Sequence, residues 1–364
     1  VTNRAHNFNP GPAALPLEVL KEVQEEILDF KGSGMSILEH SHRGKDYEAV
    51  HNQAQALFAE LLGLTPDYKV VFLGGGASTQ FYMVPQNLIT GGKKADYVNT
   101  GSWAEKAMKE AKKFGDVALA HDVKASGGYT YIPTQDQLKV RPDAVYLHIT
   151  TNNTIEGTQY HTFPQAPAGV PLVADMSSDF LWRKFDPKPF GLIYAGAQKN
   201  LGPAGVTALI IRQDLAAKFV EGLPTMCNLK KHMDENSLYN TPPVFAIYVT
   251  AKVLGWIKRG GGLEAMEKRN LEKAKLLYDT IDAHPAYFKC PVRKDSRSVM
   301  NVVWRLPNEQ LEEKFVKESK TAGLVGLKGH RSVGGLRASI YNAVPYASVK
   351  ALVDFMTDFM KKNG

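Results

Sequence analysis

Four runs between residues 143 and 212, DAVYLHITTNN, VPLVADMSS, GLIYAGA and VTALIIR, are close to continuously apolar over strand length. A strand with one face in water alternates apolar and polar residues. Runs without that alternation must be covered on both faces, as in a largely parallel sheet sandwiched between helices. The segments upstream agree. PLEVLKEVQEEILDF has helical spacing with Pro16 at its start, and YKVVFLGGGAST is a strand running into a glycine turn. TQFYMVPQNLI is helical despite Pro85, ADYVNTG is a short strand, and SWAEKAMKEAKKFG is a helix ending at Gly115. Strands alternating with helices predict an α/β domain.

The pattern changes near residue 257. A long helical tract interrupted by glycines, WIKRGGGLEAMEKRNLEKAKLLYDTI, leads to a strand (SVMNVVWRL), a helix (EQLEEKFVKESKTAG), a strand (LRASIY) and a closing amphipathic helix (ASVKALVDFMTDFMKK). The expected organisation is an N-terminal segment at 1–15, a large domain at 16–256 and a smaller α+β domain at 257–364.

The 364 residues are 44% hydrophobic and 22% charged, as in an ordinary soluble globular protein. No apolar run is long enough to span a bilayer, and the opening residues carry no signal-peptide core, so a cytoplasmic, membrane-free setting is expected. Cys227 and Cys290 stand too far apart to suggest a disulfide framework or a zinc site, and no metal is expected. The net charge is +7, but Lys and Arg alternate with Glu along helical segments and no recognition motif appears. Nucleic-acid binding is therefore not expected; attraction of a small anion fits the charge as well.

Lys199 lies in YAGAQKNLGPAG, between two of the buried strands. A lysine on such a turn ordinarily points at water. The alternative is a desolvated amine able to form a Schiff base. Two neighbours favour the alternative. Asp175 ends the strand VPLVAD, at the strand end where α/β sheets place ligands. The turn LGGGAST follows a strand and opens a helix, where backbone N–H groups cradle phosphate; it lacks the Gly-Lys-Ser/Thr ending of a nucleotide loop. A phosphate cradle, a carboxylate and a strand-end lysine are the groups that pyridoxal 5'-phosphate (PLP) requires. Trp103, after VNTGS, offers an aromatic face to its ring.

From end to end, the chain resembles the phosphoserine aminotransferase family, class-V, fold-type I PLP enzymes. The resemblance is carried by NFNPGPAALP, EHSHRGKDY, GGGASTQF, NTGSW, NNTIEGTQY, VADMSSDF, YAGAQKNLGPAG, LYNTPPVFAIY and GHRSVGGLRASIYNA. It implies that Lys199 is the Schiff-base lysine and proton carrier, that Asp175 meets the pyridine nitrogen, and that Trp103 stacks on the ring. It further implies that Thr154 bonds near the ring hydroxyl, that Gly76, Ala77 and Gln198 hold the cofactor phosphate, and that Ser177 supports them. By the same resemblance Asn240 and Thr241 reach that phosphate from a second subunit, so a homodimer is implied. Arg337 would take the substrate α-carboxylate, and His42, Arg43, His330 and Arg331 the substrate phosphate or the glutamate side chain. One departure is Ala77, where some members carry arginine. The implied reaction moves an amino group from L-glutamate to 3-phosphohydroxypyruvate; a related use in pyridoxine synthesis is compatible with the same motifs.

Two rivals share parts of this frame. A cysteine desulfurase needs a reactive cysteine on a mobile loop, and neither YFKCPVR nor TMCNLK has such a motif. A non-catalytic phosphate-binding protein would need no desolvated lysine.

Overall fold

The computed structural model describes residues 4–364. Its centre is a seven-stranded sheet. In chain order the strands are β1 (Tyr68–Leu73), β2 (Lys94–Asn99), β3 (Asp116–Asp122), β4 (Leu147–Thr150), β5 (Leu172–Asp175), β6 (Phe190–Gly196) and β7 (Thr207–Arg212). Their spatial order is β1-β7-β6-β5-β4-β2-β3. Only β7 runs against its neighbours, β1 and β6; the other pairs are parallel.

Every residue of β4, β5 and β6 is buried, as the unbroken apolar runs require. Successive side chains enter different cores. Val70 and Phe72 join one apolar cluster, Val71 and Leu73 another, and the same division holds for Ala208 and Ile210 against Leu209 and Ile211. Helices α1 (Leu17–Glu26) and α2 (Lys45–Leu62) contribute to the first cluster, and α3 (Gly76–Leu88) and α4 (Ser102–Ala111) to the second.

The register sets the site. Thr150 pairs with Asp175, and Asp175 with Tyr194. Gly196 pairs with Thr207, which pairs with Leu73. The ends of β1, β4, β5 and β6 are therefore level along one edge. The glycine turn, Asp175 and Lys199 all leave the sheet there, although 125 residues separate the first from the last.

The C-terminal part begins after α5 (Val244–Arg259), where Gly260 and Gly261 break the helix before α6 (Gly262–Ala283). A two-stranded antiparallel sheet of β8 (Asn301–Trp304) and β9 (Leu336–Ser339) packs with α6, α7 (Glu309–Thr321) and α8 (Tyr346–Asn363) around a third cluster that includes Trp304 and Phe315. Residue 257 falls inside α5. The N-terminal segment joins the C-terminal part, because His6–Asn7 pairs in parallel with Leu324–Val325 and Phe8 lies in the third cluster. No helix among the described residues is long and apolar enough to cross a membrane.

A buried polar seam links sheet and C-terminal part. The Asn152 amide donates to Ser178 Oγ at 2.8 Å and to Asn301 Oδ1 at 2.7 Å. Asn301 donates to Ser339 Oγ and the Tyr341 hydroxyl, which donates to the Pro10 carbonyl at 2.8 Å. Removing one member leaves its partners buried and unpaired. Asn152→Ala should cost about 2–3 kcal/mol of stability in urea unfolding, with an unchanged denaturant slope. A loss below about 0.5 kcal/mol would show that the seam carries little.

Candidate active site

A cleft of about 400 Å³ opens over the level strand ends. Its floor is Asp175, 6% exposed, whose Oδ1 accepts the Ser177 N–H at 2.9 Å. The Ser177 hydroxyl in turn accepts the Gly196 N–H at 3.1 Å, tying β5 to β6. Burial pushes the Asp175 carboxyl up, opposed by Ser177 and by the charge of Lys199.

Lys199 follows β6 on a turn closed by the Leu201 and Gly202 N–H groups on the Ala197 carbonyl. Its amine donates to Thr154 Oγ1 at 2.7 Å and stands 5.9 Å from the centre of the Trp103 ring. Loss of water lowers its pKa to about 8, with Asp175 opposing the shift and Arg337 adding to it. The lysine thus faces a cleft rather than bulk solvent.

One wall is the start of α3. Gly75 and Gly76 both have positive φ, 90° and 70°, which lets the chain turn from β1 into a helix with no side chain over its first N–H groups. Gly76, Ala77 and Ser78 line the cleft, so an anion there meets unpaired N–H groups and the positive end of the helix. Gln198 lines it too, and its carbonyl accepts the Ala13 N–H, holding Pro10 and Gly11 at the rim. Opposite stands Trp103, in the first turn of α4 and packed near Phe81.

Arg337, on β9, comes from the C-terminal part. It is 5% exposed and lines the cleft. Its Nη1 donates to the Thr154 carbonyl at 3.0 Å, its Nε has no partner, and no carboxylate among the described residues pairs with it. A buried guanidinium without an anion is costly. The unpartnered Nε of Arg337 leaves donor capacity facing the cleft, the geometry with which a guanidinium pairs a carboxylate.

The single chain brings together Gly76, Ala77, Trp103, Thr154, Asp175, Ser177, Gln198, Lys199, His330 and Arg337. His42, Arg43, Asn240, Thr241 and Arg331 lie outside this cleft. His42 and Arg43 precede α2 and Asn240 and Thr241 precede α5; all but the half-buried His42 are exposed. Reasoning from sequence missed Thr150, Asn152, Ser178 and Phe81, which also line the cleft. Thr150 and Ser178 had a signal, since each sits next to a recognised strand end.

A model of the class-V aminotransferases matches residues 5–352. The chain belongs to the class-V aminotransferase family. It is 55% identical to a phosphoserine aminotransferase of Niallia circulans over the whole of both chains, and 54% identical to one of Geobacillus kaustophilus over 99% of each. A solved phosphoserine aminotransferase of Bacillus circulans subsp. alkalophilus superposes with a TM-score of 0.97 over 99% of both chains. One from Trichomonas vaginalis, described as PLP-bound, shares 38% identity and a TM-score of 0.91 over 97% of this chain and 100% of its own. Class-V aminotransferases work through PLP, and the cleft suits that group: a buried carboxylate for its ring nitrogen, a helix N-terminus for its phosphate, an indole for its face and a depressed amine for its aldehyde.

The amine must be neutral to act as a nucleophile, so its availability rises with pH through its pKa. In the cofactor-free protein, acylation of Lys199, followed by mass spectrometry, should be half-maximal near pH 8, below ordinary surface lysines. Asp175→Asn removes the charge that raises this pKa, so the midpoint should fall. A midpoint that rises would contradict the pairing of these two groups.

Proposed function

We propose that this aminotransferase transfers the amino group between L-glutamate and 3-phosphohydroxypyruvate, giving O-phospho-L-serine and 2-oxoglutarate. The observation that carries the reading is full-length identity above half to relatives named phosphoserine aminotransferase. The buried, anion-free guanidinium of Arg337 supports it from the chemistry. The phosphorylated precursor in pyridoxine synthesis has the same charges and falls under the same proposal. A cytoplasmic setting fits both uses.

Bound PLP supplies an electron sink for the charge left at the substrate α-carbon. The chain's residues do the rest. Asp175 keeps a proton on the ring nitrogen, and Trp103 fixes the plane. The N–H groups at the start of α3, with Gly76, Ala77 and Gln198, hold the phosphate; Ala77 brings no cationic side chain, so its contribution is the backbone N–H. Thr154 orients the Lys199 amine, and Lys199 would carry the proton from the substrate α-carbon to the cofactor's aldehyde carbon, and back in the opposite half-reaction. Arg337 holds the α-carboxylate, with its guanidinium fixed by the Thr154 carbonyl. Amino donor and acceptor use one cleft in turn, so kinetics are ping-pong.

The substrate phosphate falls to His42, Arg43, His330 and Arg331, and the cofactor phosphate gains Asn240 and Thr241. We assign His42, Arg43, Asn240 and Thr241 to a second copy of the chain. In support, they are outside their own cleft, and exposed apolar side chains stand close to them in sequence: Leu38 (58%) before His42 and Tyr239 (41%) before Asn240. The proposal includes a division into a segment at 1–15, a cofactor-binding domain at 16–256 and a smaller domain at 257–364, the last supported by an apolar cluster drawn mostly from it, which Phe8 and Trp182 join.

Substrate choice tests the reading. Phosphohydroxypyruvate should exceed pyruvate and hydroxypyruvate in kcat/KM by at least about a hundredfold, because a site built for a charged group is left with unpaired cations without it. Parity between pyruvate and the phosphorylated acceptor would refute the substrate assignment. Arg43→Ala or Arg331→Ala should raise KM for the phosphorylated acceptor selectively. Arg337→Ala should weaken every α-carboxylate substrate by roughly tenfold or more. Lys199→Ala should lose turnover altogether without added amine.

A further inference from the structure

Helix α4, which carries Trp103, begins without a cap of its own. The residue at its N-cap is Gly101, in extended backbone (φ 175°), and no side chain within the helix bonds to its first N–H groups. The cap comes from another part of the chain. Glu156 Oε1 accepts the Ser102 N–H at 2.8 Å and also the Ser102 hydroxyl. The glycine makes this possible: a Cβ at position 101 would run into Asn153 Oδ1 and lie 2.8 Å from Glu156 Oε2. A conventional capping side chain at 101 has no room, because Asn153 and Glu156 together occupy it.

Glu156 is 7% exposed, and its Oε2 has no hydrogen-bond partner. Burial raises its pKa, while Ser102 and the positive charge of Arg337 favour the anion. A buried carboxylate spent on a helix start is unusual where Ser or Asp at the N-cap would serve. Its position explains the arrangement. Two residues earlier, Thr154 bonds the Lys199 amine through its hydroxyl and Arg337 through its carbonyl. Asn153 donates to Thr100 Oγ1 and Thr158 Oγ1, beside the same helix start. One short segment therefore carries the amine, the guanidinium and the helix start together.

We propose that Glu156 is a positioning residue that caps α4 from outside the helix and sets the Trp103 ring in register with Lys199 and Arg337. The inference rests on the reading of Trp103 as the residue that stacks on PLP. It gives the glutamate of NNTIEGTQY a task distinct from those of the neighbouring threonine and lysine. Negative charge at a helix N-terminus is stabilising, and Ser102 gives the carboxyl two donors, its N–H and its hydroxyl.

The test is titration of the stripped full-length protein with pyridoxal phosphate, read by absorbance and by the induced circular dichroism of the bound cofactor. The parent must first show a cofactor band; its absence would refute the PLP reading itself. Given that band, Glu156→Ala should raise the PLP dissociation constant roughly tenfold and weaken the induced signal, which a uniform loss of stability would not reshape. Glu156→Asp keeps the charge but is one methylene too short to reach Ser102, so it should behave similarly and serves if the alanine variant fails to fold. Glu156→Gln keeps an acceptor and should lie nearer the parent than Glu156→Asp. A folded alanine or aspartate variant with the parent's dissociation constant and induced signal would overturn the proposal, as would a glutamine variant worse than the aspartate one.

Discussion

The site depends on keeping an amine out of water next to a carboxylate that is also out of water. Lys199 and Asp175 each meet a desolvation penalty, and each partly relieves the other. The result is a lysine whose pKa is lowered to about 8 and a carboxylate pushed up by burial, with Ser177 and Lys199 opposing that shift. Neither state is available on an exposed turn. Both follow from the parallel register of β4, β5 and β6, which levels three strand ends at one buried edge.

Around that pair, each chemical task comes from a different part of the chain. The phosphate cradle needs a helix start free of side chains, which Gly75 and Gly76 provide through positive φ. Arg337 is held by bonding a carbonyl rather than an acid, which leaves its charge unspent beside the cleft. The segment Asn152–Glu156 joins these parts. It reaches Ser178, Asn301, Thr100, Lys199, Arg337 and Ser102 through side chains or carbonyls of Asn152, Asn153, Thr154 and Glu156. The C-terminal part is thereby tied to the sheet beside the cleft.

Much of this was legible in the sequence. Unbroken apolar runs dictated a doubly covered sheet, and Lys199 and Asp175 stood out because charge at the end of such runs needs a reason. Other parts were not. The helix α5 has a first half, VFAIYVTA, buried nearly all round, and periodicity cannot separate such a helix from strands. The edge strand β3 is largely half-exposed, and its apolar run is only the four residues 117–120. The pairing of His6–Asn7 with Leu324–Val325 spans more than 300 residues, beyond any local pattern. Glu156 lies within NNTIEGTQY, but its partner is a backbone N–H more than fifty residues away, which no local pattern reveals.

The central claim is that Lys199, and no other amine near the cleft, bonds covalently to the cofactor. The Lys106 amine offers an internal control, since it lies 4.1 Å from the centre of the Trp103 ring. The direct measurement is borohydride reduction of the PLP-loaded protein, followed by digestion and mass spectrometry of the pyridoxyl-labelled peptide. The account predicts one label, on the peptide that contains Lys199. A label on Lys106, or cofactor released unbound after reduction, would contradict it.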